Sequence, residues 1–303
     1  MNETVQEHAD QAGTLRSLSE RLTDSPRMCA GGNRASRVLS VTSGKGGVGK
    51  TAVVSNIAVA LGRMGKKVLI IDADLGLANI DVVFGLAPQY NLNHFFAGQN
   101  SLAEILVDGP AGVQILPAGS GVQKFTRLDA SQKIRFLDDL ETLPGDYDVV
   151  LIDTEAGISE NVTYFNQAAQ DILVVTTPEP TAITDAYALM KLLSSQFHER
   201  RFNLIVNSVR HPDEALDVYR KLTMVSNRYL DISIDFMGGI PFDRKMYESV
   251  RRQKVMVEMY PGSKVAMAFE KLATKLVAEA RHAEPKGSLQ FFWKRLLSLG
   301  SGT

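Results

Sequence analysis

Residues 43–51 read "SGKGGVGKT". Within this stretch Gly44 to Thr51 keeps the spacing G-x-x-x-x-G-K-[ST], and that spacing has a mechanical meaning. Gly44, Gly46, Gly47 and Gly49 let the backbone curl until its N–H groups face a common centre, while a helix starting near Lys50 adds the positive end of its dipole. Such a cradle suits phosphate: Lys50 meets the β and γ phosphates, the Thr51 hydroxyl meets Mg²⁺, and Val48 and Ala52 complete the lining. The flanks agree. Apolar "VLSVTS" before the loop reads as a strand, and "AVVSNIAVAL" after it has helical periodicity. One lysine at the end of the loop satisfies the pattern, so Lys45 is surplus to it.

Outward from the loop, apolar runs of strand length alternate with helical stretches. The runs are "RVLSVTS", "KKVLIIDAD", "VQILPAG", "YDVVLIDT", "DILVVTTP", "FNLIVNS" and "ISIDFMGGIP". Several are nearly continuous in Val, Leu and Ile, as expected when helices cover both faces of a mostly parallel sheet. The expected architecture over 37–280 is a doubly wound α/β domain, which binds ligands at the C-terminal edge of its strands. Asp72 and Asp74 end one run and Asp153 ends another, so all three carboxylates can converge on the loop. Asp153 suits a water-mediated partner of Mg²⁺, Asp72 a support of the metal from behind, and Asp74 the orientation of an attacking water.

The bulk composition excludes several classes. Of 303 residues, 45% are hydrophobic and 22% charged, which suits an ordinary globular core. Lys and Arg number 33 against 34 Asp and Glu, so the net charge of -1 gives no reason to expect direct nucleic-acid binding. Cys29 is the single cysteine, which rules out an intrachain disulfide or a two-thiolate metal site within one subunit and fits a reducing cytoplasm. The start "MNETVQEHADQ" lacks the basic-then-apolar order of a secretory signal. No apolar run approaches the roughly 20 residues of a membrane span, so the chain reads as cytoplasmic or as a surface visitor to a membrane.

The two ends read differently from the middle. In "HADQAGTLRSLSERL" Ala12, Leu15, Leu18 and Leu22 share one helical face, giving an N-terminal amphipathic helix within 1–22. The stretch 23–36, rich in Ser, Gly and Pro, reads as a flexible linker. Beyond a polar break, 281–303 ends in "LQFFWKRLLSLG", where Leu289, Phe292, Trp293, Leu296, Leu297 and Leu299 fall within an arc of about 160°. Trp and Phe beside Lys294 and Arg295 suit the interface of an anionic bilayer.

"KGGVGKT", with "DADLGLANID" and "DTEAGIS" as its two switch segments, resembles the deviant phosphate loop of the MinD/ParA ATPases across most of 37–280. The resemblance implies ATP or ADP with Mg²⁺, Mg-dependent hydrolysis, and an ATP-bound sandwich dimer in which Lys45 reaches the nucleotide of the other subunit. It also places Asn207 at the adenine and "GGIPFD", with Pro241, in the loop closing over the base. Glu155 departs from the family pattern, which has a small residue or proline there; a carboxylate beside the γ phosphate would repel it, giving slow or partner-dependent turnover, unless it points outward or pairs with a base.

Within that family, "DQAGTLRSL" is similar to the D-Q-A-x-x-L-R motif that FlhG/FleN proteins carry ahead of the ATPase domain, on Asp10, Gln11, Ala12, Leu15 and Arg16. The resemblance implies control of flagellar number or placement. Implied partners are the FlhF GTPase, a transcription activator of the FleQ or FlrA kind, flagellar C-ring proteins and, through the C-terminal helix, the inner face of the cytoplasmic membrane. The alternatives are a MinD-like positioner of the septum, a ParA-type partitioning ATPase, and a nucleotide-locked scaffold with little turnover.

Overall fold

A computed structural model describes residues 36–74, 79–119 and 147–280, together with Gln132, Arg135, Phe136, Asp139 and Leu143. The N-terminal helix, most of the linker and the C-terminal amphipathic helix lie outside the described residues.

The chain enters the sheet at β1 (Arg37–Ser43), crosses through α1 (Lys50–Arg63) and returns as β2 (Val68–Ala73). Short helices α2 (Ile80–Phe84), α3 (Leu92–Phe96) and α4 (Leu102–Ile105) lead to the brief strand β3 (Val107–Asp108) and to β4 (Gln114–Leu116). The second half runs β5 (Val149–Ala156), α5 (Glu160–Ala168), β6 (Asp171–Thr176), α6 (Pro180–Phe197), β7 (Arg201–Val209), α7 (Pro212–Tyr229) and β8 (Ser233–Pro241). It closes with α8 (Arg244–Arg251), α9 (Met256–Met259) and α10 (Lys264–Ala280).

The eight strands lie in the order β3-β4-β2-β5-β1-β6-β7-β8, and every pairing is parallel except β3 with β4. After β1 the chain builds one side of the sheet, then returns through β5 and β6 to the other. The reversal beside β1 is where an open α/β sheet leaves a crevice at its carboxyl edge.

Alternation within each strand explains the two covered faces. Leu39, Val41 and Ile70 pack with α1, α9 and α10. Val38, Leu69 and Ile71 point the other way, into the aromatic cluster of Phe95, Phe136 and Phe165. Under β6 and β7 that opposite face is covered by Leu189, Met190 and Leu193 of α6 and by Val218 and Leu222 of α7. Fully buried side chains of this size contribute about 1.5–3 kcal/mol each, so the two layers dominate the stability of the sheet.

β1 is buried along its whole length, including its polar residues. Arg37 is accommodated there because its Nε donates to Asp171 Oδ2 at 2.7 Å and its guanidinium also donates to the Leu276 carbonyl at 2.5 Å. The second contact fastens the start of β1 to the last turns of α10.

Candidate nucleotide site

The loop between β1 and α1 is shaped by its glycines. Gly49 caps α1 with φ +89°, a left-handed conformation, and a Cβ there would stand 2.4 Å from Asn207 Nδ2. That Nδ2 donates to the Val48 carbonyl at 2.8 Å, while the Ser208 N–H donates to Asn207 Oδ1 at 2.9 Å. Asn207, expected at an adenine, thus also braces the phosphate loop from the end of β7. Ser208, at φ +59°, is a non-glycine residue in the left-handed region at the same place.

Beneath the loop the strand register brings the acidic groups together. Asp72 of β2 and Asp153 of β5 are register partners on adjacent strands, and both are 1% exposed. Lys50 Nζ stands 3.5 Å from Asp153 Oδ1 as a charge partner, yet that oxygen accepts no hydrogen bond. Burial pushes the Asp153 carboxyl up, and the Lys50 charge and Thr51 hydroxyl draw it back. Asp72 accepts N–H bonds from Asp74 at 3.1 Å, Asn79 at 3.2 Å and Ile80 at 3.4 Å. Loss of water, followed by the Asp153 charge, nevertheless pushes it up to about 8. Asp74 sits half-buried at the end of β2, with its charge within reach of Asp153.

A pH prediction follows from Asp72. Its folded-state pKa is raised, so its stabilising contribution is full below the unfolded value of about 4 and is lost as pH rises towards 8. The loss has an upper bound of about 1.4 kcal/mol per pH unit. Asp72→Asn removes this slope: in denaturant titrations from pH 5 to 9, the stability of the variant relative to wild type should rise with pH up to about 8 and then level.

The same cluster fits Mg²⁺ in one way only. Among the described residues no three acidic, histidine or cysteine side chains form a metal-binding group. A carboxylate oxygen on Asp153 that accepts no hydrogen bond, beside Thr51, suits an ion that keeps several waters and takes its other ligands from phosphates.

A cavity of about 630 Å³ extends from Gly47, Val48 and Gly49 past Asn207 to Pro241 and Phe242. One end is lined by the glycine loop, and the other mixes apolar Phe242, Met246 and Phe269 with polar Asn207, Arg210 and Asp243. A mixed lining of this kind next to a phosphate loop suits a nucleotide laid from phosphates to base.

Lys45 lies on the outside of the loop. Its Nζ donates to Glu179 Oε2 at 3.0 Å and to Thr181 Oγ1 at 2.8 Å, with the lysine side chain 38% exposed. Glu155 accepts two hydrogen bonds from neutral groups: Ser159 Oγ donates to its Oε2 at 2.9 Å and Asn161 Nδ2 to its Oε1 at 3.1 Å. Glu179, Thr181, Ser159 and Asn161 were not singled out by the sequence reading. The segment "PEPT" directly after a strand was the available sign for the first two. Asp10, Gln11, Ala12, Leu15 and Arg16, and Leu289, Phe292, Trp293, Leu296 and Leu297, lie outside the described residues.

This fold and loop define a P-loop nucleotide-binding protein. The family model described as ParA, NUBPL iron-transfer P-loop NTPase, matches residues 34–277. The chain belongs to the ParA family of P-loop NTPases. It is 41% identical to the antiactivator FleN of Pseudomonas aeruginosa over 261 residues, covering 86% of this chain and 93% of that protein. It is 33% identical to the flagellum site-determining protein YlxH of Helicobacter pylori, with 86% and 90% covered. Among solved structures, the septum site-determining protein MinD of Pyrococcus horikoshii in complex with Mg-ADP aligns at TM-score 0.62 and 30% identity. That alignment covers 80% of this chain and 96% of the archaeal one. Within the family the chain fits the FlhG/FleN branch.

Proposed function

We propose that this protein is a Mg-dependent ATPase switch that dimerises on ATP and sets flagellar number or placement. The observation that carries the reading is the convergence of Lys50, Thr51, Asp72 and Asp153 under a glycine loop in a chain 41% identical to an antiactivator called FleN. Thr51 and, across water, Asp153 would hold Mg²⁺, which would supply positive charge against the charge developing on the phosphates. Lys50 binds the β and γ phosphates, and Asp74, at the open end of β2, accepts a hydrogen bond from the attacking water and fixes its line of approach. Lys45 exchanges its exposed contact with Glu179 for the phosphates of the second subunit.

In this reading the N-terminal helix stimulates the FlhF GTPase, the dimer surface acts on a FleQ- or FlrA-type activator and on C-ring proteins, and the C-terminal helix visits the anionic inner face of the cytoplasmic membrane. Among the described residues no helix is long and apolar enough to cross a membrane. The locked-scaffold alternative rests on the Glu155 carboxylate, which accepts hydrogen bonds from Ser159 and Asn161 and keeps its charge; measurable Mg-dependent hydrolysis excludes it.

Asp74→Ala tests the chemical part. Steady-state phosphate release should fall about 100-fold, within the range ascribed to a positioned base, while Mg-ATP affinity is retained. A variant that hydrolyses at the wild-type rate would remove Asp74 from the mechanism. For the flagellar part, the full chain should stimulate the GTPase of its cognate FlhF and lose that effect when 1–22 are deleted. A septum-positioning protein would show no such stimulation.

A further inference from the structure

Thr177 follows directly after β6 and lines the nucleotide cavity, yet its Oγ1 is buried and has no hydrogen-bond partner. Of the buried side-chain oxygens left without such a partner among the described residues, it is the one whose residue lines this cavity. An orphan buried hydroxyl is costly, and in a native fold it calls for a reason. The residue is half-buried, so its outward surface is carbon and backbone. One turn about Cα–Cβ exchanges methyl for hydroxyl and presents the oxygen to the cavity.

The sheet order says what the hydroxyl would meet. On this side of the switch point the strands run β1-β6-β7-β8. The phosphate loop leaves β1, Asn207 lies near the end of β7 and Pro241 ends β8. At about 4.8 Å per strand, loop and base cap are separated by roughly 14 Å along the carboxyl edge. A nucleotide with phosphates at β1 and base between β7 and β8 carries its sugar across the end of β6, where Thr177 stands. Both ribose hydroxyls donate and accept, so either one satisfies Oγ1.

We propose that Thr177 is a specificity-determining residue that hydrogen-bonds the ribose of the bound nucleotide. The proposal rests on the nucleotide reading and adds the sugar to it. Its consequence is discrimination between ribonucleotides and deoxynucleotides made through the sugar, with no contribution from base or phosphate.

The test uses the full chain with Mg²⁺ and the diphosphates ADP, 2′-deoxy-ADP and 3′-deoxy-ADP, which keep dimerisation and turnover out of the measurement. Calorimetry on wild type should show ADP preferred over one deoxy analogue by about tenfold, the value of one hydrogen bond. Thr177→Val keeps the shape and removes the hydroxyl. It should bind ADP about tenfold more weakly while binding that deoxy analogue as wild type does, so the preference disappears. Thr177→Ser should retain the preference. The apo melting temperature of Thr177→Val should equal or exceed that of wild type, because an orphan hydroxyl has been removed. A preference unchanged in Thr177→Val, an equal loss for all three ligands, or a lowered apo melting temperature would each overturn the assignment. Wild type that binds none of the three would fail at the earlier step and take the nucleotide reading with it.

Discussion

Lys45→Ala should be monomeric in ATP, whereas wild type should form a dimer in ATP and a monomer in ADP. The Lys45 side chain is turned out of its own loop. Its ammonium is held instead by Glu179 and Thr181 in a partly exposed pair. Surface pairs of that kind are worth about 0–1 kcal/mol, a hold that phosphate charge readily displaces. In the proposed dimer the same ammonium is desolvated against the nucleotide of the second subunit, where truncating one member of a buried charged pair costs about 2–5 kcal/mol. The dimer constant should therefore weaken by about 30-fold or more, with ADP affinity changed only a few-fold. Light scattering coupled to size exclusion, run in ATP and in ADP, reads both states. A variant that dimerises like wild type would sink the central mechanism.

The second large effect is steric. A Cβ on Gly44 would lie 2.1 Å from the Asp185 carbonyl oxygen and 2.2 Å from its carbon, deep inside any allowed contact. These are backbone atoms of α6, a helix anchored by the fully buried Ala186, Leu189, Met190 and Leu193, so the neighbour cannot swing aside as a side-chain tip would. Either the loop or the helix must shift, and overpacking of this kind costs about 1–3 kcal/mol. Gly44→Ala should lose Mg-ADP affinity by about 100-fold, the scale on which angstrom misplacement acts at a positioned site, and should melt several degrees lower. Gly46→Ala is the control, because its Cβ would meet Ala156 Cβ at 3.9 Å, an ordinary contact. Thermal shifts with and without Mg-ADP should separate the two variants by at least an order of magnitude in affinity. Equal behaviour would mean that the loop's position on α6 does not matter for binding.

Much of this was readable from residues alone. Long apolar runs gave the strands because a parallel sheet covered on both faces needs continuous burial. Asp72 and Asp153 could be placed at the carboxyl edge on that ground, whereas their position side by side follows from the pairing of β2 with β5. β3, only Val107 and Asp108, is too short to carry a pattern. Helices α2 to α4 span four or five residues, below the length at which a 3.6-residue period shows. A usable sign was present in Ser101 and Glu104, whose spacing is a capping box. What sequence could not supply is where a polar side chain spends its hydrogen bonds. Lys45 meets partners 134 and 136 residues away, Asn207 reaches back 159 residues to Val48, and Thr177 finds none. Those facts depend on which loops the strand order places side by side.

The contact between Arg37 and the Leu276 carbonyl now has a wider meaning. It fixes the place where the described chain begins and the helix from which it departs at one edge of the sheet. The nucleotide loop leaves the other end of β1, seven residues or about 23 Å away. Whatever holds the C-terminal segment to a surface also brings the root of the N-terminal segment to that surface, as two leads from one socket. On the proposed function, a partner gripping the first segment would be presented to whatever the second had reached, at a local concentration set by tether length and independent of the amount in solution. Phe269 of the same α10 lines the nucleotide cavity, so the helix that leads to the C-terminal segment also touches the site.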